Sequence, residues 1–252
     1  MQTTVVLIHG ATLNGASWAP VRRVLEGAGM HVLAPDLPGH GARHAERFSL
    51  DGAVQTIVDA VRTAPPGPLY LAGDSLGGYT AQAAAAHLPA DRLKGLVLGG
   101  SSHAFIGAPT IPYRARAWLF RVMFALGDER KMVARKIPAV LKEFGMNETD
   151  AAATLAAGVH MSAFPQAVNA LCGVDFRTKL AAIAQPVLFI NGDLDTNHIR
   201  GESAYTAAAR DARIERFAGC EHGVSMRRSG DYARLVAQFV QQTGGGSSPA
   251  AH

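Results

Sequence analysis

Cysteine is scarce in this chain. Its 252 residues include only two, Cys172 and Cys220, far apart and without the paired spacing of a metal knuckle. Free thiols are therefore expected rather than a disulfide framework or a structural zinc site. Charge is thin as well: 17% of residues are Asp, Glu, Lys or Arg, with a net of +4. No basic stripe or recognition motif accompanies that small excess, which argues against nucleic-acid binding. Long hydrophobic runs are missing. The apolar start VVLI stops at His9-Gly10 with no basic segment ahead of it, so neither a signal peptide nor a membrane span is expected, and a cytoplasmic location is the default. Internal repeats are absent too. Only TGGGSSPAAH, from Thr243, is low in complexity, and a flexible tail is expected over 243–252.

What is present points to one globular domain with a sizeable core: 48% hydrophobic residues, with glycine and proline dispersed throughout. Short apolar runs at Thr4–Ile8, His31–Ala34, Leu69–Ala72, Leu96–Leu98, Val187–Ile190 and Arg213–Phe217 read as strands. Helix-like stretches alternate with the early ones: Trp18–Ala28, Leu50–Arg62 behind the N-cap residue Ser49, and the alanine-rich Gly77–His87. A parallel crossover must travel back along the sheet, and a helix does so while burying an apolar face. The pattern therefore predicts an α/β fold: a mostly parallel, doubly wound sheet of about six strands with helices on both faces.

The rhythm breaks after Gly99-Gly100-Ser101-Ser102 and resumes at Pro186. Residues 103–185 read as a helical cap inserted between the fourth and fifth strands, leaving 1–102 and 186–242 as the core. Within the cap, WLFRVMFAL (Trp118–Leu126) is apolar over more than half its circumference. Such a helix is expected to pack on the main domain, the alternative being that some of its aromatics also line a ligand pocket. The basic residues Arg130, Lys131, Arg135, Lys136 and Lys142 read as a solvated face.

LYLAGDSLGG, residues 69–78, carries two hydrolase signatures at once. Gly73-Asp74-Ser75-Leu76 spells the GDSL block of one esterase family, and Asp195-Thr196-Asn197-His198 supplies that family's D-x-x-H. Yet GDSL enzymes carry the serine near the chain start and use a G-x-N-D block, and neither condition is met here. Gly73-Asp74-Ser75-Leu76-Gly77 is also G-x-S-x-G, a nucleophile elbow, and it has the required strand before it and helix after it. Flanking glycines let strand and helix approach closely while the hydroxyl projects outward. Ser75 is the candidate nucleophile.

With VVLIHGATLNGASW, HVLAPDLPGHG, GDSLGG, PVLFINGDLD and GCEHG in sequence order, the chain resembles the α/β-hydrolase fold superfamily over residues 3–242. Its opening, HGATLNGASW, is similar to that of the small methylesterase and hydroxynitrile-lyase group. The resemblance implies a Ser, Asp, His order of catalytic residues. In that order the acid is Asp195, from the G-x-x-D of Gly192-Asp193-Leu194-Asp195, with Asp193 as a turn-forming neighbour. The base is His222 in the loop after the last strand, with His198 as its one competitor and His9 structural. The oxyanion hole falls to the backbone amides of Ala11 and Leu76, with Thr12 the alternative to Ala11. Asp74 departs from the family, which commonly has an uncharged residue there, and it is expected to hydrogen-bond beneath the elbow. Cys220 is expected to be a small packing residue.

The resemblance implies a serine hydrolase acting without metal or cofactor on a small hydrophobic carboxylic ester, or a lactone or thioester, through an acyl-enzyme. A serine at position 75 argues against dehalogenase and epoxide hydrolase chemistry, which use an aspartate there. A hydroxynitrile-lyase type of reaction and a slow ligand receptor are the rivals. The lyase group commonly has Thr where this chain has Gly10.

Overall fold

The computed structural model describes residues 2–244. Six parallel strands form one sheet: β1 (Thr4–Ile8), β2 (His31–Leu33), β3 (Leu69–Asp74), β4 (Leu93–Gly99), β5 (Val187–Gly192) and β6 (Ala212–Phe217), in the order β2-β1-β3-β4-β5-β6. Each of the six predicted strands is present, β4 extending at both ends beyond its apolar core.

The helices follow in chain order: α1 (Ala19–Gly27), α2 (Leu50–Thr63), α3 (Leu76–Ala84), α4 (Thr110–Leu126), α5 (Glu129–Glu143), α6 (Glu148–Ala156), α7 (Ala163–Leu171), α8 (Phe176–Ala181), α9 (Thr196–Ala208), α10 (Val224–Arg227) and α11 (Ser229–Gly244). Ser49 caps α2 as expected, its hydroxyl accepting from the Gly52 amide at 3.1 Å. Trp18 lies in a short 3-10 turn, and α1 begins one residue later beside Pro20.

Strand alternation divides the core into two layers. Val5 and Leu7 point to one face, where they meet Val21 and Leu25 of α1 and Val236 and Phe239 of α11. Val6 and Ile8 point to the other, against Ile57 of α2, Tyr79 of α3 and Leu180 of α8. These side chains are almost wholly buried, each contributing roughly 1.5–3 kcal/mol of apolar burial. β6 lies at an edge and keeps Arg213, Glu215 and Arg216 exposed, a charged rim that discourages pairing with another chain.

Sequence order reverses between β1 and β3, because β2 lies on one side of β1 and β3 on the other. In open parallel sheets that switch point leaves a crevice at the carboxyl ends of the strands. The loops at Gly10 and Ser75 both open there.

Helices α4 to α8 form the insertion between β4 and β5. It is tied to the core next to the loop after β1. The Asn14 side chain donates to the carbonyls of Thr154 and Gly158, each at 2.8 Å, and the His160 amide donates to Thr12 O. Arg23 of α1 grips the buried Asp150 of α6 through both carboxylate oxygens, at 2.8 and 2.6 Å.

Two expectations need correction. Thr243 and Gly244 belong to α11, and the Tyr70 hydroxyl lies 3.0 Å from Thr243 Oγ1, so the core runs past 242. The remainder of the expected tail lies outside the described residues. α4 also does less covering than its composition implies: only Thr110 and Ala117 are buried, while Ile111, Trp118, Leu119, Met123 and Leu126 are exposed. Tyr113 and Phe120 of the same helix do line a cavity.

Candidate active site

Ser75 occupies a left-handed, strained turn (φ 54°, ψ −118°) between β3 and α3. Its amide donates to Gly99 O at 2.8 Å, and its carbonyl accepts from the amides of Gly78 and Tyr79. Close approach makes the glycines necessary. A Cβ on Gly73 would lie 2.3 Å from Gly77 C and O, and one on Gly77 would lie 1.9 Å from Ile8 O. These overlaps are with backbone, which cannot move aside without parting helix from sheet.

Ser75 opens into a cavity of about 450 Å³ that also holds Ala11, Thr12, Leu76, Asp195, His198 and His222. A larger groove, about 750 Å³, runs past Arg47, Phe48, Arg121 and Phe124 but contains none of the candidate catalytic residues. The insertion gives the 450 Å³ cavity an aromatic lining, with Phe105, Tyr113, Phe120, Phe144 and Phe164. Phe120 and Phe164 stand 5.0 Å apart between ring centres, and the Arg116 guanidinium lies over both.

Asp195 stands at the N-cap position of α9 without a side-chain capping bond and is buried, whereas Asp193, two residues earlier, is exposed and lies outside the cavity. His222 Nδ1 lies 2.6 Å from Asp195 Oδ2, and His198 Nδ1 lies 2.9 Å from Oδ1 and 2.8 Å from Oδ2. Burial would raise the Asp195 carboxyl, but the two imidazole hydrogen bonds outweigh it and hold the group well below the usual carboxylate range. An ionised carboxylate only accepts, so both Nδ1 atoms carry protons and both Nε2 atoms keep a lone pair.

The two histidines differ. His198 is buried, and burial lowers its pKa in spite of Asp195. His222 keeps 43% of its side chain exposed. Burial lowers its pKa, but the Asp195 hydrogen bond and the charges of Asp74 and Asp195 raise it further, for a net increase. Position separates them as well. The His222 ring lies over Gly100, where an added Cβ would fall 2.6 Å from its Cε1, one residue beyond the carbonyl that holds the Ser75 amide. His198 stacks on the His222 ring.

Of the predicted residues, the structure thus joins Asp195 to His222 directly and brings Ser75 to the same cavity. Among the described residues no hydrogen bond involves Ser75 Oγ. Leu76 is the first residue of α3, so its amide has no intrahelical acceptor, and the residue lines the cavity. Ala11 lines the same wall, and Thr12 next to it has φ 73°. Asp74 is 94% buried, since 6% is exposed. It faces Gly99 with Oδ1 unpartnered, and burial pushes its pKa up. His9 is structural: its Nδ1 pairs with Gly10 O at 2.9 Å, its Nε2 accepts from the Leu37 amide, and burial lowers its pKa to about 4. Cys220 is buried, and burial raises its thiol pKa.

Asp195, His198 and His222 could also be taken for a metal set, since one donor atom from each lies within 4.8 Å of the others. The fit is poor. Tetrahedral zinc with bonds near 2.0–2.1 Å would hold its donors about 3.3 Å apart, but here the carboxylate meets the imidazoles at 2.6 and 2.9 Å. That spacing accommodates a proton between each pair.

Reading the sequence missed the part played by His198 as a second donor to Asp195. Its signal was the i, i+3 spacing of Asp195 and His198 at the start of a helix, which puts the two on one face.

The sequence model of the alpha/beta hydrolase family matches residues 5–237. The chain belongs to the alpha/beta hydrolase family. Within it, the chain is 29% identical over 262 aligned residues to a pimeloyl-[acyl-carrier protein] methyl ester esterase of Aromatoleum aromaticum, covering 94% of this chain and 98% of that one. It is 28% identical to the protein of that description from Chromobacterium violaceum, covering 94% of both. Its fold is similar to that of a bromoperoxidase from Bacillus anthracis, with a TM-score of 0.73, 21% identity, and 96% of this chain and 92% of that one covered. No helix among the described residues of this alpha/beta hydrolase is long and apolar enough to cross a membrane.

Proposed function

We propose that this alpha/beta hydrolase cleaves a carboxylic ester with a hydrophobic acyl group through an acyl-enzyme on Ser75. The observation that carries the reading is the 2.6 Å bond from His222 Nδ1 to Asp195 in the cavity onto which the elbow serine opens. His222 Nε2 takes the proton from Ser75 Oγ as the oxygen attacks the ester carbon, and Asp195 stabilises the imidazolium that forms. The amides of Leu76 and Ala11, with Thr12 the alternative to Ala11, receive the oxyanion, each donor worth roughly 3 kcal/mol in the transition state. As the tetrahedral intermediate collapses, the alcohol leaves with the proton from His222. Water, activated by the same imidazole, then releases the acid. The proposal requires a Ser75–His222 hydrogen bond that is not formed in this structure; such bonds commonly tighten only when substrate binds.

The aromatic lining from the insertion favours an aliphatic or aryl acyl chain. Methyl ester esterases among the relatives favour a small alcohol as the leaving group. Incubation with a fluorophosphonate probe and a series of p-nitrophenyl and methyl esters tests the assignment. Stoichiometric labelling at Ser75 together with turnover is the expected result. Labelling without turnover of any ester or lactone would point to a receptor, and cyanohydrin cleavage without acylation would point to a lyase.

A further inference from the structure

Helix α4 has two contrasting sides. At about 100° per residue, Ile111, Ala115, Trp118, Leu119, Val122, Met123 and Leu126 occupy one arc of roughly 140°. Within it Ile111 is 65% exposed, Trp118 62% and Leu126 86%. Tyr113 and Phe120 lie on the opposite side and line the cavity. Arg114 and Arg121 border the exposed arc along one margin, Arg116 on the other is turned over Phe120 and Phe164 at the cavity wall, and the helix contains no acidic residue. None of these three arginines joins the ion pairs found among the described residues. Positive charge is concentrated here: residues 110–143 hold eight Lys or Arg and three Asp or Glu, net +5, whereas the whole chain is +4.

Exposed Trp, Leu, Met and Ile along one helix face cost water-facing apolar area, and a soluble surface seldom keeps such a stripe without a use. Arginines along its margin suit one environment in particular. When an apolar face enters the boundary between headgroups and acyl chains, flanking guanidinium groups reach the phosphates while their stems stay in the apolar layer. We propose that α4 is an interfacial helix that seats this protein on an anionic lipid surface, with the Ile111–Leu126 stripe inserted and Arg114 and Arg121 on lipid phosphates. A second copy of the chain would set these arginines against each other across a two-fold contact. In the seated state the cavity lies directly behind the inserted helix, so a hydrophobic ester dissolved in the bilayer has a short route to it.

The binding test does not depend on ester cleavage and uses the full chain with phosphatidylcholine vesicles, with and without phosphatidylglycerol. Co-sedimentation with the anionic vesicles is expected, weakened by high salt. Emission should shift to shorter wavelength and come from Trp118, because the other tryptophan, Trp18, is already buried. Replacing both Arg114 and Arg121 with Gln should lower partitioning about thirtyfold, and Trp118→Ser with Leu126→Ser at least about tenfold. These four positions lie outside the catalytic cavity, so both double variants should hydrolyse a soluble short-chain ester at the wild-type rate, which also shows that they are folded. Equal, salt-insensitive partitioning to neutral and anionic vesicles, or none to either, overturns the proposal. So does a dimer in sedimentation that Leu126→Ser dissolves, or a small acidic protein that shields Trp118 from a quencher when vesicles do not.

Discussion

The rings of His198 and His222 are stacked 4.8 Å apart and 21° from parallel, and both hydrogen-bond the same carboxylate. From a buried site His198 Nδ1 faces both oxygens of Asp195, at 2.9 and 2.8 Å, which fixes the carboxylate's rotation and divides its negative charge between two donors. Removing it with His198→Ala frees the carboxylate for His222 alone and strengthens that bond. The acid limb of the rate profile should move to higher pH. Turnover should fall about tenfold from lost orientation while KM changes little, against roughly 10⁴-fold for loss of the triad acid. His198→Asn, which keeps a donor, should restore part of both. A profile unchanged by His198→Ala would show that the second imidazole has no influence on the first.

pH dependence has a definite sign. The reactive His222 is neutral, and its pKa is raised because Asp195 and Asp74 outweigh burial. The plot of kcat/KM should therefore rise with pH through a midpoint above the ordinary histidine value of about 6.5. Asp74→Asn removes one of the negative charges and should move that midpoint down. A midpoint unaffected by the substitution would mean that the Asp74 carboxyl carries no charge in the working range.

The two acids of the loop after β5 should behave very differently. Asp195→Asn leaves His222 without an acceptor for its Nδ1 proton and should cost about 10⁴ in kcat. Asp193 is exposed and outside the cavity, so Asp193→Asn should change kcat less than about threefold. Steady-state kinetics on one p-nitrophenyl ester compares the two.

Much of this site was legible because its signals are local. G-x-S-x-G forces a strand–turn–helix, since Gly73 and Gly77 have no room for a Cβ, and G-x-x-D and GCEHG each place one side chain on a loop at the same end of the sheet. The outward side of α4 was not legible. Periodicity reports which residues of a helix are apolar, but burial depends on what stands opposite, and among the described residues nothing covers Trp118 or Leu126. The shared acceptor at Asp195 was hidden for a related reason: D-x-x-H shows that two side chains share a face, yet the second donor comes from a loop 27 residues away. Hydrogen bonds likewise hold Thr243 in the last helix although its sequence context is that of a tail.

Stability should respond to the clamp between α1 and α6. Asp150→Ala removes two charge-assisted hydrogen bonds from Arg23 and one from Asn147. Because Arg23 remains 57% exposed and rehydrates, the expected loss is only about 1–2 kcal/mol, or about 2–6 °C in Tm for a chain of this size. The pairing holds the Asp150 carboxyl below its ordinary range. Its contribution is therefore complete above pH ~4, the unfolded value, and disappears as pH falls through the lower folded value. Calorimetric Tm measured against pH should show wild type and Asp150→Ala converging at the acidic end.

Asn14 and His160 stitch the insertion to the loop that also carries Ala11 and Thr12. A roof fastened at that corner cannot lift as one piece without dragging the backbone of Ala11 and Thr12 along. Breathing wide enough to admit a guest is therefore left to the side of α4, which makes no hydrogen bond to the core among the described residues, because α5 is itself held at the stitched corner by Ile137 and Leu141 packed with Leu13 and Met226.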